Sequence, residues 1–112
     1  CALPICHADA ALEYGVLVFR GEGVESNEEI GAKWLLIAAR RGNAVAQNRM
    51  ARLYAFGKGV AADPVEAMKW NLLAARGGRA DAELDGMLAG LSVEQKAEAE
   101  KRANDFRPGA GN

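Results

Sequence analysis

The N-terminal segment of the chain holds the three side chains best suited to bind a metal ion or a haem. Cys1, Cys6 and His7 include both cysteines and the only histidine. Covalent haem attachment normally uses C-x-x-C-H, and the spacing between the cysteines here is two residues longer. Three ligands also leave a tetrahedral metal site incomplete. A disulfide between the two cysteines in an oxidising compartment, a lipid on Cys1, and two unmodified apolar side chains are the other interpretations.

A second group of chemically capable residues lies near the middle of the chain. Asn48 and Arg52 are four residues apart, so on a helix they share one face. The amide of Asn48 can donate and accept hydrogen bonds, and the guanidinium of Arg52 presents a fork of N–H donors. Together they could hold the main chain of an extended peptide or a carboxylate. Phe56 follows one helical turn later.

The sequence lacks the residue groupings that support catalysis. A single histidine near the N-terminus leaves no internal Ser-His-Asp or Cys-His arrangement. Gly21-x-Gly23 and Gly57-x-Gly59 resemble parts of a phosphate-binding loop, but neither follows a predicted strand or carries the remaining residues of such a loop. Acidic residues are dispersed, so no carboxylate pair is placed for acid–base work. We expect no enzyme activity, no catalytic residue and no bound metal or cofactor.

The composition of the chain limits the classes of partner that it is expected to bind. The chain has 112 residues, 50% of them apolar and 6% aromatic, and a formal net charge of -1. This length suits one small domain with a thin core rich in alanine and leucine. Near-neutral charge gives no electrostatic footprint for nucleic acid or an anionic membrane. No apolar run approaches the roughly 18 residues of a membrane span, and no signal peptide is recognisable. Periplasmic or secreted and cytoplasmic locations all stay open.

A repeat of 36 residues organises the chain. Two copies follow each other without a gap, and a period of this length is typical of solenoids. The residues that recur are Gly21 and Gly57, Gly23 and Gly59, Trp34 and Trp70, and Ala38-Ala39-Arg40 and Ala74-Ala75-Arg76. Because the tryptophans hold the same place in each copy, we predict that both pack in the core. The glycines are predicted to form hairpin turns.

Capping residues predict where the helices begin. Asn27, Asp63 and Ser92 are good N-caps, and the last two each start a capping-box pattern. The predicted helices cover 8–20, 28–41, 44–56, 64–76, 80–90 and 92–106. The last of them has a thin apolar side of Ala97, Ala103 and Phe106. That composition suits a helix that covers the exposed end of a solenoid.

The second copy carries a specific pattern. Its residues are Ala46, Met50-Ala51, Tyr54, Gly57-x-Gly59-Val60, Asp63, Ala67, Trp70, Ala74-Ala75 and Gly78. This pattern resembles the Sel1-like repeat, a helical-hairpin unit related to tetratricopeptide repeats, and the resemblance covers about residues 8–91. It implies an all-α fold, a short right-handed α-solenoid of antiparallel helical hairpins. It also implies a non-enzymatic interaction module, found largely in bacterial and some eukaryotic adaptor proteins.

The pattern and its breaks divide the chain. We predict an N-terminal segment at 1–7, Sel1-like copies at 8–43 and 44–79, a partial copy at 80–91, a C-terminal capping helix at 92–107 and a flexible tail at 108–112. The third copy is partial because Val93-Glu94-Gln95-Lys96 stands where the glycine turn is expected.

The resemblance implies a binding surface if the first helix of each hairpin lines the concave side, as in tetratricopeptide repeats. The residues at these positions are Leu12, Val16, Phe19, Asn48, Arg52, Phe56, Leu84 and Leu88. We predict an adaptor or scaffold that binds a protein or peptide segment there. A second copy of the chain, joined through the concave or a terminal face, is another candidate occupant. Two alternatives stay open: a haem or metal carrier through Cys1, Cys6 and His7, and the terminal part of a longer repeat scaffold.

Overall fold

The computed structural model describes residues 27–109, and all regular structure in this range is α-helix. The helices are α1 (Glu28–Arg40), α2 (Ala44–Phe56), α3 (Pro64–Arg76), α4 (Ala82–Leu88) and α5 (Val93–Asp105). The prediction of an all-α solenoid built from helical hairpins is confirmed. The segment 1–7, the helix predicted at 8–20, and the glycines at 21 and 23 lie outside the described residues.

A polar side chain caps the start of each described helix by accepting a hydrogen bond from a backbone N–H that the helix leaves unpaired. The caps are Asn27, Asn43, Asp63, Asp81 and Ser92. Because capping is local in sequence, the bounds predicted for α2 and α3 agree with the structure. Those of α1 and α5 are within one residue at each end, and those of α4 within two.

The cap of α3 differs from its prediction in one respect. Asp63 Oδ1 accepts hydrogen bonds from two backbone N–H groups in the first turn of the helix. The N–H of Asp63 itself donates to the carbonyl oxygen of Tyr54 at 3.0 Å. Glu66 is therefore not needed to complete the predicted capping box, and its carboxylate instead pairs with Arg102 of α5 at 3.0 Å. The capping box predicted at the start of α5 is present in full.

A glycine turn joins α2 to α3 and lies against α1. α2 ends at Gly57, which has a left-handed conformation with φ of 68°. Gly59 also has a positive φ, 73°, and a Cβ added there would overlap the backbone carbonyl oxygen of Glu28 and lie 3.1 Å from the Cβ of Ala32. The second glycine of the repeat is therefore required for contact with the preceding helix as well as for the turn.

Small side chains make up most of the core. The buried alanines are Ala32, Ala38, Ala39, Ala46, Ala51, Ala67, Ala74, Ala99 and Ala103. Alanine lets helix backbones approach closely, so the interior is held by many short-range dispersion contacts. The largest side chains that are fully buried are Trp70, Met50 and Leu84.

The two repeated tryptophans both pack against this core, but to different extents. Trp70 is 1% exposed, whereas Trp34 is partly buried at the edge of the same cluster. Phe106, which follows α5, meets the indole of Trp70 edge-on, with ring centroids 5.6 Å apart and planes at 73°. This is a favoured geometry for two aromatic rings. The C-terminal helix and the residue after it therefore complete the burial of Trp70.

α5 packs along α3 and covers the end of the solenoid. Its buried residues are Ala99 and Ala103. Ala97, which we predicted on the apolar side, is exposed. Positions 99, 103 and 106 are spaced by four and three, so they form one stripe along the helix, and position 97 lies off that stripe.

The chain after α5 turns back onto the end of α1. A Cβ on Gly42 would lie 3.4 Å from the Cβ of Pro108. The N–H of Gly109 donates to the carbonyl oxygen of Arg40 at 2.8 Å, which satisfies one of the carbonyls that a helix leaves unpaired at its C-terminus. The tail predicted at 108–112 therefore includes two residues held against α1, and 110–112 lie outside the described residues.

Trp70→Ala should lower the free energy of unfolding by about 3–5 kcal/mol, the range for removing a fully buried large aromatic side chain. Chemical denaturation followed by circular dichroism measures it. Phe56→Ala is the matched control, because Phe56 is 49% exposed and its loss should cost less than about 1 kcal/mol. Equal shifts of the midpoint in both variants would contradict the assignment of Trp70 to the core.

Gly59→Ala should destabilise the fold more than Gly78→Ala. Both glycines have positive φ, 73° and 90°, so alanine at either position carries the cost of a left-handed conformation, about 1–2 kcal/mol. Only Gly59 has a backbone neighbour that the new methyl group would overlap, since a Cβ at Gly78 meets no atom within 4 Å. Thermal denaturation compares the two. A larger loss in the Gly78 variant would show that the turn does not press against α1.

Candidate partner-binding surface

The binding surface predicted from the sequence lies partly outside the described residues. The predicted contacts before residue 27 are Leu12, Val16 and Phe19, and the predicted haem or metal ligands there are Cys1, Cys6 and His7. These assignments stay predictions.

Two kinds of site are not found in residues 27–109. No group of three or more His, Cys, Asp or Glu side chains in this range could hold a metal ion. No helix in this range has both the length and the apolar character that crossing a bilayer requires.

α2 positions the described part of the predicted surface. Asn48, Arg52 and Phe56 follow one another at intervals of four, so they form a stripe along one side of the helix. We call these three residues the α2 stripe. Asn48 is partly buried, the Arg52 side chain is 38% exposed, and Phe56 is exposed. Met50 and Leu53 are buried in the core.

Asn48 and Arg52 hold a carboxylate, and it belongs to this chain. Asp81 Oδ2 accepts hydrogen bonds from Asn48 Nδ2 and Arg52 Nε, each at 2.8 Å, and lies 2.7 Å from Arg52 Nη2. Asp81 Oδ1 accepts from the N–H of Leu84 at 3.1 Å and so caps α4. We predicted that these donors would bind the carboxylate or main chain of a partner. In the structure they tie α2 to the start of α4.

Hydrogen bonding decides the charge state of Asp81, whose side chain is 8% exposed. Burial acts to raise its pKa. The hydrogen bonds from Asn48, the Leu84 N–H and Arg52, together with the charge of Arg52, outweigh burial and hold the pKa of Asp81 below its ordinary value of 3.8. Asp81 is therefore a carboxylate at neutral pH, and its bonds to Arg52 are charge-assisted.

Part of the Arg52 guanidinium still faces solvent. Its Nη1 lies 3.5 Å from Glu83 Oε1, and the Glu83 side chain is 71% exposed, so this pairing is weak and easily exchanged. A carboxylate or carbonyl oxygen from a partner can replace Glu83 at this edge while Asp81 keeps the guanidinium in place. Phe56, one turn further along α2, adds an apolar surface to the same side of the helix.

The structure corrects the prediction for Leu84 and Leu88. They are 1% and 6% exposed, and both belong to the same buried cluster as Trp70. Their spacing of four places them on one side of α4, and this short helix uses that side to cover the core. Both contribute to stability. Leu84 is not available to a partner, and Leu88 keeps only a small exposed area.

The contact of Asp81 with Asn48 and Arg52 could have been predicted by comparing equivalent positions in successive repeat copies. The three residues of the contact all differ in the same way from their equivalents in the preceding copy. The residues 36 positions before 48, 52 and 81 are Leu12, Val16 and Val45. The set is apolar at the earlier positions and polar 36 residues later, and this joint change indicates that residues 48, 52 and 81 meet.

A cleft of about 670 Å³ lies at the start of α1, beside the glycine turn. Its side chains include Asn27, which caps α1, and Glu28 and Glu29. Two carboxylates in the first turn of a helix stabilise it by facing the positive end of its dipole. These groups therefore have a structural role, and we assign the cleft none in binding.

A further pocket lies where α3, α4 and α5 meet, and we call it the α3–α4–α5 pocket. It has a volume of about 220 Å³ and is lined by Met68, Asn71, Leu72, Asp85, Leu88, Ala89 and Lys96. Asn71 is 4% exposed, and its Nδ2 donates to Asp85 Oδ1 at 2.6 Å. Its buried Oδ1 has no hydrogen-bond partner among the described residues. An unpaired buried acceptor costs about 1–3 kcal/mol. The repeat pattern did not predict this pocket.

The stacked helical hairpins define a helical-repeat protein, a class that uses extended surfaces to bind partners. The model of the Sel1 repeat matches residues 8–43 and 44–78, which are the two copies predicted from the sequence to within one residue. The chain belongs to the Sel1 repeat family. Sel1 repeat proteins are generally protein–protein interaction modules and typically scaffolds without enzyme activity.

Two solved structures show the same fold. A protective antigen present in uropathogenic Escherichia coli strains, which displays an SLR fold, matches with a TM-score of 0.75 and 25% identity, over 89% of this chain and 22% of that one. A Sel1 repeat protein from Oxalobacter formigenes matches with a TM-score of 0.65 and 31% identity, over 89% of this chain and 44% of that one. This chain therefore spans less than half the length of either protein. No curated protein matches its sequence significantly.

Asp81→Asn should lower the free energy of unfolding near neutral pH, because the uncharged amide removes the negative charge that pairs with Arg52. The pKa of Asp81 is lower in the folded chain than its ordinary value of 3.8. Its contribution to stability is therefore complete above about pH 5 and is lost as the pH falls through the folded-state pKa. Denaturation of both proteins from about pH 7 to about pH 2 should show a difference that shrinks in acid.

The control for this series is Asp105→Asn, an exposed change at the end of α5, which should alter stability little at any pH. A difference between the wild-type protein and Asp81→Asn that does not vary with pH would show that the charge of Asp81 contributes nothing.

Proposed function

We propose that this chain is a non-enzymatic adaptor that binds a segment of a partner protein on the concave side of its hairpins, through the α2 stripe. The observation that supports this most directly is Phe56, which is 49% exposed and lies one turn from a guanidinium held in position by Asp81. An aromatic side chain beside an arginine is a frequent composition of binding hot spots. Covering the exposed ring would remove its apolar surface from water.

Each residue of the α2 stripe has a distinct role in this proposal. Asp81 engages the Asn48 amide nitrogen, so the amide oxygen is left to accept an N–H from the main chain of a partner. The edge of Arg52 that now faces Glu83 would take a carbonyl or carboxylate oxygen. Phe56 would pack against an apolar side chain. These complementary groups describe an extended peptide with at least one apolar residue.

The residues predicted in the first copy belong to the same proposal. Leu12, Val16 and Phe19 hold the positions equivalent to Asn48, Arg52 and Ala55, 36 residues earlier. They would extend the surface with an apolar region, so that a partner segment meets polar groups in one hairpin and apolar groups in the other.

Phe56→Ala should weaken partner binding by about tenfold or more, the effect of removing a hot-spot side chain. Peptides selected on the wild-type chain from a random display library supply the ligands, and calorimetry of the best binder with each variant measures the loss. Val93→Ala is the matched control, because Val93 is 79% exposed on α5 and lies outside the α2 stripe. Both variants should unfold at nearly the wild-type denaturant concentration.

Equal binding of the selected peptide to wild type and Phe56→Ala would contradict the proposal. A second copy of the chain is the competing occupant of the surface. Sedimentation of the wild-type chain without peptide tests this alternative. If the wild-type chain is a dimer and Phe56→Ala is a monomer, the α2 stripe is a self-association surface.

A further inference from the structure

We infer that the α3–α4–α5 pocket anchors one apolar side chain of a peptide segment, together with the peptide groups that flank it. The pocket shares no lining residue with the α2 stripe, so the inference does not depend on the proposed function. Three properties carry it: the volume and apolar walls of the pocket, a carboxylate that is held by one of its two oxygens, and two opposite charges that do not pair.

The volume of the pocket suits a side chain better than a free ligand. It encloses about 220 Å³, whereas small-molecule pockets usually hold about 300–1,000 Å³. Met68, Leu72, Leu88 and Ala89 form its apolar walls. A pocket filled by one side chain of the partner is the usual form of an anchor in a protein interface.

Asp85 provides a hydrogen-bond acceptor, and Asn71 holds its carboxylate in place. The 2.6 Å bond from Asn71 Nδ2 to Asp85 Oδ1 identifies the other amide atom of Asn71 as the oxygen and holds the carboxylate in place. Asn71 Oδ1 is buried and unpaired among the described residues, so a ligand does not reach it. The second oxygen of Asp85, an exposed residue, is left for another donor, and a main-chain N–H from a bound segment can donate to it.

Lys96 provides a donor. It lines the pocket from α5 and makes no ion pair with any residue in the described range, Asp85 included. Two opposite charges that line one pocket without neutralising each other offer a ligand both a donor and an acceptor. A residue in a peptide carries one N–H and one C=O, which complement Asp85 and Lys96 on either side of an apolar side chain.

The test is an NMR titration of the isotope-labelled full chain with N-acetyl-leucine N-methylamide, which carries one apolar side chain between two peptide groups. We expect saturable shifts of the backbone amides of Leu88, Ala89 and Lys96, with a Kd in about the millimolar range. The alanine analogue should bind about tenfold more weakly or worse, because the pocket stays partly empty. The Nα-methylated leucine analogue should also bind more weakly, because it lacks the N–H that would donate to the Asp85 carboxylate.

Two variants locate the binding. Ala89→Phe should fill the pocket from an exposed position at the end of α4 and abolish the shifts. Ala97→Phe, which is exposed on α5 and outside the pocket, is the matched control and should retain them. Lys96→Met keeps an apolar stem but removes the donor, so it should weaken binding of the leucine compound without filling the pocket. Circular dichroism verifies that each variant is folded.

Several results would overturn the inference. They are binding that survives Ala89→Phe in the folded variant, equal affinity for the leucine and alanine compounds, and the absence of any saturable shift. The last result would include the case in which another segment of this chain fills the pocket. Shifts of the same amides that depend on protein concentration, without any added compound, would assign the pocket to a second copy and overturn it too.

Discussion

The burial of Trp70 beneath the last helix is the contact on which the rest of the described structure depends. Most of the buried apolar residues are alanines, and burying an alanine removes little apolar surface from water. One indole, 1% exposed and in edge contact with Phe106, therefore contributes a large share of the stabilisation between α3 and α5. Without α5 this side of α3 would face water, which is the reason a solenoid needs a terminal element.

Alanine and glycine have the complementary role of letting the helices come close. Gly59 places the turn between α2 and α3 against the carbonyl of Glu28, where no side chain fits. Charged residues then join the helices at their edges, as Glu66 of α3 does by pairing with Arg102 of α5. The repeat thus places small residues where helix backbones meet and one large side chain where a neighbouring helix can cover it.

Asn48 and Arg52 contribute to stability, and in the proposed function they also contact the partner. Asp81 uses the amide of Asn48 and most of the guanidinium of Arg52 to join α2 to α4. In the proposed function, the amide oxygen of Asn48, one edge of Arg52 and the ring of Phe56 remain for a partner. The α3–α4–α5 pocket does not come from the repeat pattern. It lies where the third copy departs from that pattern, with a short α4 and no glycine turn before α5.

The sequence by itself determined the family, the 36-residue period and, within residues 27–109, nearly all helix bounds. Helix bounds depend on residues only a few positions apart, as when Ser92 and Gln95 cap each other. The family and the period come from a pattern of residue types that recurs along the sequence. Only the tertiary structure decided that the carboxylate held by Arg52 comes from Asp81, that Leu84 lies in the core, and that Glu66 pairs across to α5. Those outcomes depend on groups about one repeat apart, 29 residues for Arg52 and Asp81, coming within hydrogen-bond distance. Local spacing specifies which face of a helix a side chain occupies, but not what packs against that face.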